Sequence, residues 1–361
     1  MKGNKGEWSE IYTFLKLLGD GVLYAADRNL NRINEIYYPI ISVVREEEHK
    51  KYYFENDIKI RILNNKKETL LEMESDKFTY MAKELFESLK RSKGRSLEFP
   101  SIESFLNIIN VSKLKADSTD KRDITIIVHD LYTNLTPELG FSIKSKLGGN
   151  STLLNPGEST NFIYEVVFDQ SESNINELVN KINKINTKSK IKDRTNALTS
   201  NKNSLNFYKM ESENFYLNLQ MIDTVLPQII SIILLYYYKG LATDMKDLLA
   251  VLEKNNPLNY DQTKNHKFYE YKIKNFLTDV ALGMTPQKKW NGFYDANGGY
   301  IIVKEDGEIL CYHIYNRNEF QEYLINNTRL ETPSSGRYHY GEIYEKDGKY
   351  YFKLNLQIRF K

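Results

Sequence analysis

The sequence predicts an α+β fold, with helices and sheet segregated along the chain, on three observations. Residues 123–146 read as two alternating strands joined by a loop. Residues 172–283 are dominated by helical spacing, and 286–361 return to short strands around two Asp-Gly turns. The expected division is a mixed core over 1–170 holding the 123–146 hairpin, a helical region over 171–285, and a β-rich region over 286–361.

Each element has its own signal. Trp8 to Leu18 carries Ile11, Phe14, Leu15 and Leu18 on one stripe, an amphipathic helix. Residues 36–63 read as extended, ending in alternating DIKIRIL. Lys66 to Arg91 has apolar residues at Leu70, Met73, Tyr80, Met81, Leu85 and Leu89 and predicts one helix. Pro100 opens a short helix over Ser101 to Asn110, where its missing N–H costs nothing. Ile124, Ile126 and Val128 alternate with Asp123, Thr125 and Ile127; Phe141 and Ile143 alternate with Ser142 and Lys144. Asn134 and Pro137 suit the intervening loop, and a turn centred near Asn134 sets Asp123 almost opposite Lys144. Asn161 to Phe168 is a third strand. Helices follow over Glu172–Asn186, Asn214–Tyr238, Asp244–Leu252 and Lys267–Leu282. The final hairpins pair Gly299–Val303 with Ile309–Ile314 and Glu342–Tyr344 with Lys349–Leu356. Between them lie a helix, Arg317–Asn327, and a loop, Thr328–Tyr338.

Composition narrows the function classes. At 361 residues, 41% hydrophobic and 27% charged, the chain has room for a large core. A single cysteine, Cys311, excludes an internal disulfide framework and a cysteine-rich zinc site. The charged N-terminus MKGNKGEWSE has no apolar h-region, and Ile229 to Tyr238 is too short to span a bilayer, so a cytoplasmic protein is expected. A net charge of +2 carries no argument for nucleic acid; the run Lys181 to Arg194, six basic residues against Asp193, suits either a solvated face or phosphate contacts. The five histidines show no metal-ligand spacing.

The chemistry resides in the hairpin. One face holds aliphatics, the other Asp123, Thr125, Ser142 and Lys144. An acid across from a lysine is often only a surface ion pair. The same two groups, with a divalent cation, also meet the needs of phosphodiester hydrolysis: charge on the phosphate and an activated water. Asp130 is a rival acid, nearer the loop end.

Asp123, Ser142 and Lys144 resemble the Asp…(Asp/Glu)-x-Lys core of the PD-(D/E)XK nucleases, with serine at the second acid position. A serine cannot carry the missing charge. Three glutamates are candidates to replace it: Glu10, whose KGEWSE matches a Lys-Gly-x-x-x-Glu helix start in several such nucleases; Glu165, on the strand face of Asn161 and Ile163; and Glu158, which follows Lys144 after thirteen intervening residues. Further stretches, KGEWSEIYTFLKLL, LGFSIKSKLG followed by STLLN and TNF, TRLETPSSGRYHYG and KLNLQIRF, resemble HpaII-type restriction endonucleases from residue 5 to 360. That resemblance implies a type II enzyme that needs magnesium and cuts double-stranded DNA at CCGG, with a companion methyltransferase protecting the host. Asp123 would ligate metal with Glu10 or Glu165 beside it, Lys144 would orient or activate water, and Ser142 would assist.

For base readout, Arg329 and Arg337 bracket LETPSSG, with Ser334 and Ser335 between them. An arginine fork fits guanine O6 and N7 in the major groove; the serines suit phosphate or cytosine edges. Gln357 and Arg359, on the last strand, are read as structural or as further contacts. Two other readings of the chain are a nuclease acting on branched or damaged DNA, and a DNA-binding protein without catalysis, which the serine at 142 favours.

Overall fold

In the computed structural model, which describes every residue except 48, 116–120, 132, 171, 173 and 201, the chain opens with α1 (Lys5–Asp20). Asn4 accepts the Gly6 and Glu7 amides while Glu7 accepts the Asn4 amide, a capping box. Gly21, at φ 67°, closes the helix in the left-handed conformation. Trp8, Tyr12, Thr13 and Leu17 are buried along with the expected stripe, so the helix is enclosed on most sides.

Strands β1 (Val22–Ala26), β2 (Arg32–Glu47), β3 (Lys50–Asn56), β4 (Ile60–Leu63) and β5 (Thr69–Met73) follow. Then come α2 (Ser75–Arg91), α3 (Pro100–Ile108) and the predicted hairpin, β6 (Ile124–Val128) with β7 (Glu138–Ser145). The single helix expected from Lys66 is therefore a strand and a helix. Leu70 and Met73 belong to edge strand β5, and helical burial begins at Phe78, Ala82, Leu85 and Leu89. Pro39 sits where β2 changes partners: Arg32–Pro39 pair with β1, and later residues pair with β6 and β3. A residue without an N–H is tolerated at such a break in the ladder.

The second half of the chain runs β8 (Thr152–Leu154), β9 (Asn161–Val167), α4 (Ile175–Asn183), α5 (Lys190–Ser200), β10 (Ser204–Met210), α6 (Glu213–Ile222), α7 (Leu226–Tyr238), α8 (Met245–Asn255) and α9 (Phe268–Leu282). Next are β11 (Gly299–Val303), β12 (Ile309–His313), α10 (Arg317–Asn327), β13 (Thr328–Leu330), α11 (Ser335–Tyr338), β14 (Ile343–Lys346), β15 (Lys349–Asn355) and β16 (Ile358–Phe360). The long apolar helix expected over 214–238 is two helices, bent by 108°. Asp223 accepts the Val225 amide at the break, and Pro227 stands in the first turn of α7. No single helix among the described residues is long and apolar enough to cross a membrane.

Two units emerge. The first comprises Met1–Ser151 and Tyr294–Tyr323; the second comprises Thr152–Phe293 and Leu324–Lys361. In the first, the strand order is β1-β12-β11-β7-β6-β2-β3-β4-β5, with β7 and β11 parallel. α1, α2 and α3 share one core with Ile124, Ile126, Phe141, Ile143, Ile301 and Val303 of this sheet. The second unit contains the sheet β10-β9-β15-β14, the sheet β13-β16-β8, and helices α4 to α9. The boundaries read near 170 and 285 differ from these units. β9 pairs with β10 and β15 in the second unit, whereas β11 and β12 return to the first sheet.

Candidate active site

The hairpin carries Asp123 in a register set by a loop longer than a tight turn. Ile124 pairs with Phe141 and Thr125 with Gly140, and an isolated bridge joins Asp130 to Leu135. The Asp123 amide donates to the Phe141 carbonyl at 2.8 Å. Asp123 thus falls beside Ser142, two residues short of the expected partner Lys144. Lys144 still shares the face, because strand side chains repeat every second residue.

The three side chains form a chain of contacts. Ser142 Oγ donates to Asp123 Oδ2 at 3.0 Å, and the Ile143 amide donates to the same oxygen at 2.7 Å. Lys144 Nζ donates to Ser142 Oγ at 2.9 Å and lies 3.9 Å from Asp123 Oδ2. Both charged side chains are mostly covered, 15% exposed for Asp123 and 21% for Lys144. Ser142 is thus a bridge: it separates the acid from the lysine and orients both.

Glu10 joins this group from α1. One of its carboxylate oxygens, Oε2, is buried with no hydrogen-bond partner among the described residues. Burial, and then the charge of Asp123, push its carboxyl up to about 8, against the opposing pull of Lys115, Lys144 and Arg45. Glu10 also lines two cavities. It shares a small one, about 100 Å³, with Asp123, Arg45 and Arg122. It shares a larger cleft, about 870 Å³, with Lys144, Lys5, Lys93 and Arg95. Ser9 fixes the helix beside β7 by donating to Ser145 Oγ at 2.8 Å.

An orphaned carboxylate oxygen next to a second carboxylate is a donor set for a hard cation. Hydrogen bonds from the described residues to the Asp123 carboxylate all go to Oδ2. No cluster of three or more His, Cys, Asp or Glu side chains gathers among the described residues. A magnesium ion fits two carboxylates, since it retains waters and takes phosphate oxygens for its other positions.

The other expected residues lie elsewhere. Asp130 is buried at the loop end, next to His313 and Tyr315. Glu165 and Glu158 belong to the second unit, where Lys349 lies 2.8 Å from Glu165 and His339 Nδ1 lies 2.5 Å from Glu158. Arg329 is in strand β13 rather than a loop; Ser334, Ser335 and Arg337 are at the short α11, with Arg337 exposed. Of the basic run 181–194, Arg194 is buried and donates to the carbonyls of Asn183, Ile185 and Gly341.

The chain matches the HpaII restriction endonuclease family over residues 4–360. It is 43% identical over 366 residues to "Type II restriction enzyme HpaII" of Haemophilus parainfluenzae, covering 99% of this chain and 98% of the relative. This chain belongs to the HpaII restriction endonuclease family. It is accordingly a type II restriction endonuclease. No solved structure matches it.

Within this HpaII-family chain, three residues near the hairpin escaped the reading of the sequence. Tyr300 on β11 pairs with Ser142, and its ring lies 5.3 Å from Lys144 Nζ. Its hydroxyl bonds Ser142, and burial raises its pKa. Lys121 is pushed down to about 8 by burial and then by the charge of Lys144, with Asp295 opposing. Arg45 is 5% exposed, lines the smaller cavity, and donates to Glu47 at 2.9 Å and to the Lys113 carbonyl at 2.7 Å. Lys121 alone had a local signal, its place two residues before Asp123.

Proposed function

We propose that this endonuclease hydrolyses double-stranded DNA at CCGG with magnesium, and that the first unit carries a PD-(D/E)XK core with serine in place of the second acid. One observation carries the reading. Asp123, Ser142 and Lys144 are linked across the hairpin, and Glu10 lines a cavity with Asp123 and another with Lys144. The CCGG site and the companion methyltransferase are what the family resemblance implies. Arg329, Ser334, Ser335 and Arg337 are the proposed DNA contacts, and the cytoplasm, where the host DNA lies, is the proposed place of action.

Asp123 and Glu10 would hold the magnesium, which supplies positive charge to the phosphate and lowers the pKa of water. Glu10 is preferred over Glu165 and Glu158 because its Oε2 is buried and unsatisfied. Lys144 keeps its ammonium between Ser142 Oγ and the Tyr300 ring. From there it orients the attacking water and offsets charge building on the phosphate oxygens. Ser142 holds the lysine off Asp123, which leaves the carboxylate available to the cation. Lys5, Lys93 and Arg95 make the larger cleft basic and suited to a DNA backbone.

Digestion of a sequenced plasmid with purified protein and magnesium, followed by sequencing of the ends, tests this directly. Ends at CCGG alone, absent when the metal is chelated, are expected. Cuts that follow DNA shape rather than sequence would overturn it.

A further inference from the structure

We infer that the polar face of the β13–β16–β8 sheet reads bases, with Arg329 and Arg359 as paired readers and Glu331 as the residue that positions them. Its ligand, the major-groove edge of double-stranded DNA, rests on the function proposed above.

The register separates two faces. Leu330 pairs with Ile358 and Ile358 with Leu154, an apolar row that is buried. Arg329 pairs with Arg359 and Arg359 with Thr152, the alternate row. Glu331 and Gln357 continue that row, joined by the Glu331 amide donating to the Gln357 carbonyl at 3.2 Å. All five side chains of this face are only partly covered.

Two arginines directly opposed on neighbouring strands repel unless an anion lies between them. Glu331 supplies it, with Oε1 at 2.5 Å from Arg329 and Oε2 at 3.0 Å from Arg359. Glu331 takes one nitrogen of the Arg329 guanidinium, which has five N–H donors. Arg329 Nε is buried without a partner among the described residues. The side chains stay 35% and 31% exposed.

Two forks fixed side by side on one sheet face suit adjacent guanines, each offering O6 and N7. Arg337 on α11 is exposed, has no such anchor among the described residues, and suits phosphate. The task needs arginine, because lysine is a point charge with no fork.

The test is selection from a randomised duplex pool with immobilised protein and no magnesium, so that binding is read without cleavage. Wild type, Arg359→Lys and Glu331→Gln are compared, each checked for an unchanged circular dichroism spectrum. Wild type is expected to enrich one short G-containing motif. Arg359→Lys keeps the charge and the salt dependence, yet enriches the motif about 10- to 100-fold less. Glu331→Gln is expected to lose preference at the same guanines, an effect that general destabilisation would not localise. Equal enrichment by wild type and Arg359→Lys would overturn the inference, as would a wild type that enriches no motif. A wild type that enriches a motif but never cuts it with magnesium would instead overturn the nuclease reading.

Discussion

Ser142 shows how one side chain can stand where an acid is expected without repeating its chemistry. Its hydroxyl accepts from Lys144 and donates to Asp123, so the two charges are held 3.9 Å apart instead of collapsing onto each other. Ser142→Ala removes that spacer. It should slow cleavage about tenfold, the equivalent of one ordinary hydrogen bond, with little effect on DNA binding. A single-turnover rate within twofold of wild type would reject the bridging role. Asp123 and Lys144 were legible in the sequence because both lie on one hairpin. Tyr300 and Arg45 were not, because they arrive from β11 and β2 by pairings no local pattern records.

At the scale of elements, the hairpin was legible as two alternating runs, but its register was not. The loop between Val128 and Glu138 contains the Asp130–Leu135 bridge and Asn134 at φ 56°, and in the observed register Asp123 lies opposite Ser142 rather than Lys144. The helix predicted over 214–238 failed for a different reason: apolar spacing continues through a bend that Asp223 and Pro227 impose. The long strand β2 owes part of its place to the buried pair Arg45–Glu47, 6% and 4% exposed. Glu47 also accepts the Ser112 amide at 3.0 Å and hydroxyl at 2.7 Å, and so ties β2 to the segment after α3. Glu47→Ala takes the carboxylate from a buried guanidinium and should cost about 3–5 kcal/mol. Urea unfolding measures it; an unchanged midpoint would show that the pair contributes nothing.

At the scale of the whole molecule, helix and sheet content was readable, but the division was not. Each unit is assembled from segments far apart in sequence, and a boundary drawn along the chain cannot follow a strand that returns 158 residues later, as β11 does to β7 where Gly299 pairs with Phe141. Acid stability is set partly by such a return. His313 on β12 stacks on Tyr38 at 4.8 Å, and burial pushes it down to about 4, with Asp130 opposing. The unfolded chain therefore binds this proton near pH 6.5, before the folded protein does. The stability it contributes is full above about pH 6.5 and is lost as the pH falls toward 4, at most about 3 kcal/mol. Urea midpoints measured from pH 7 to 4 should fall less steeply in His313→Gln than in wild type; parallel slopes would reject the assignment.

The most direct measurement is single-turnover cleavage of plasmid DNA by wild type, Asp123→Asn and Lys144→Ala, with protein in excess, saturating magnesium, and binding followed separately by gel shift. Both variants should bind DNA nearly as wild type does and lose about 10²–10³-fold or more in rate. Either variant cutting at the wild-type rate would contradict the account of the site.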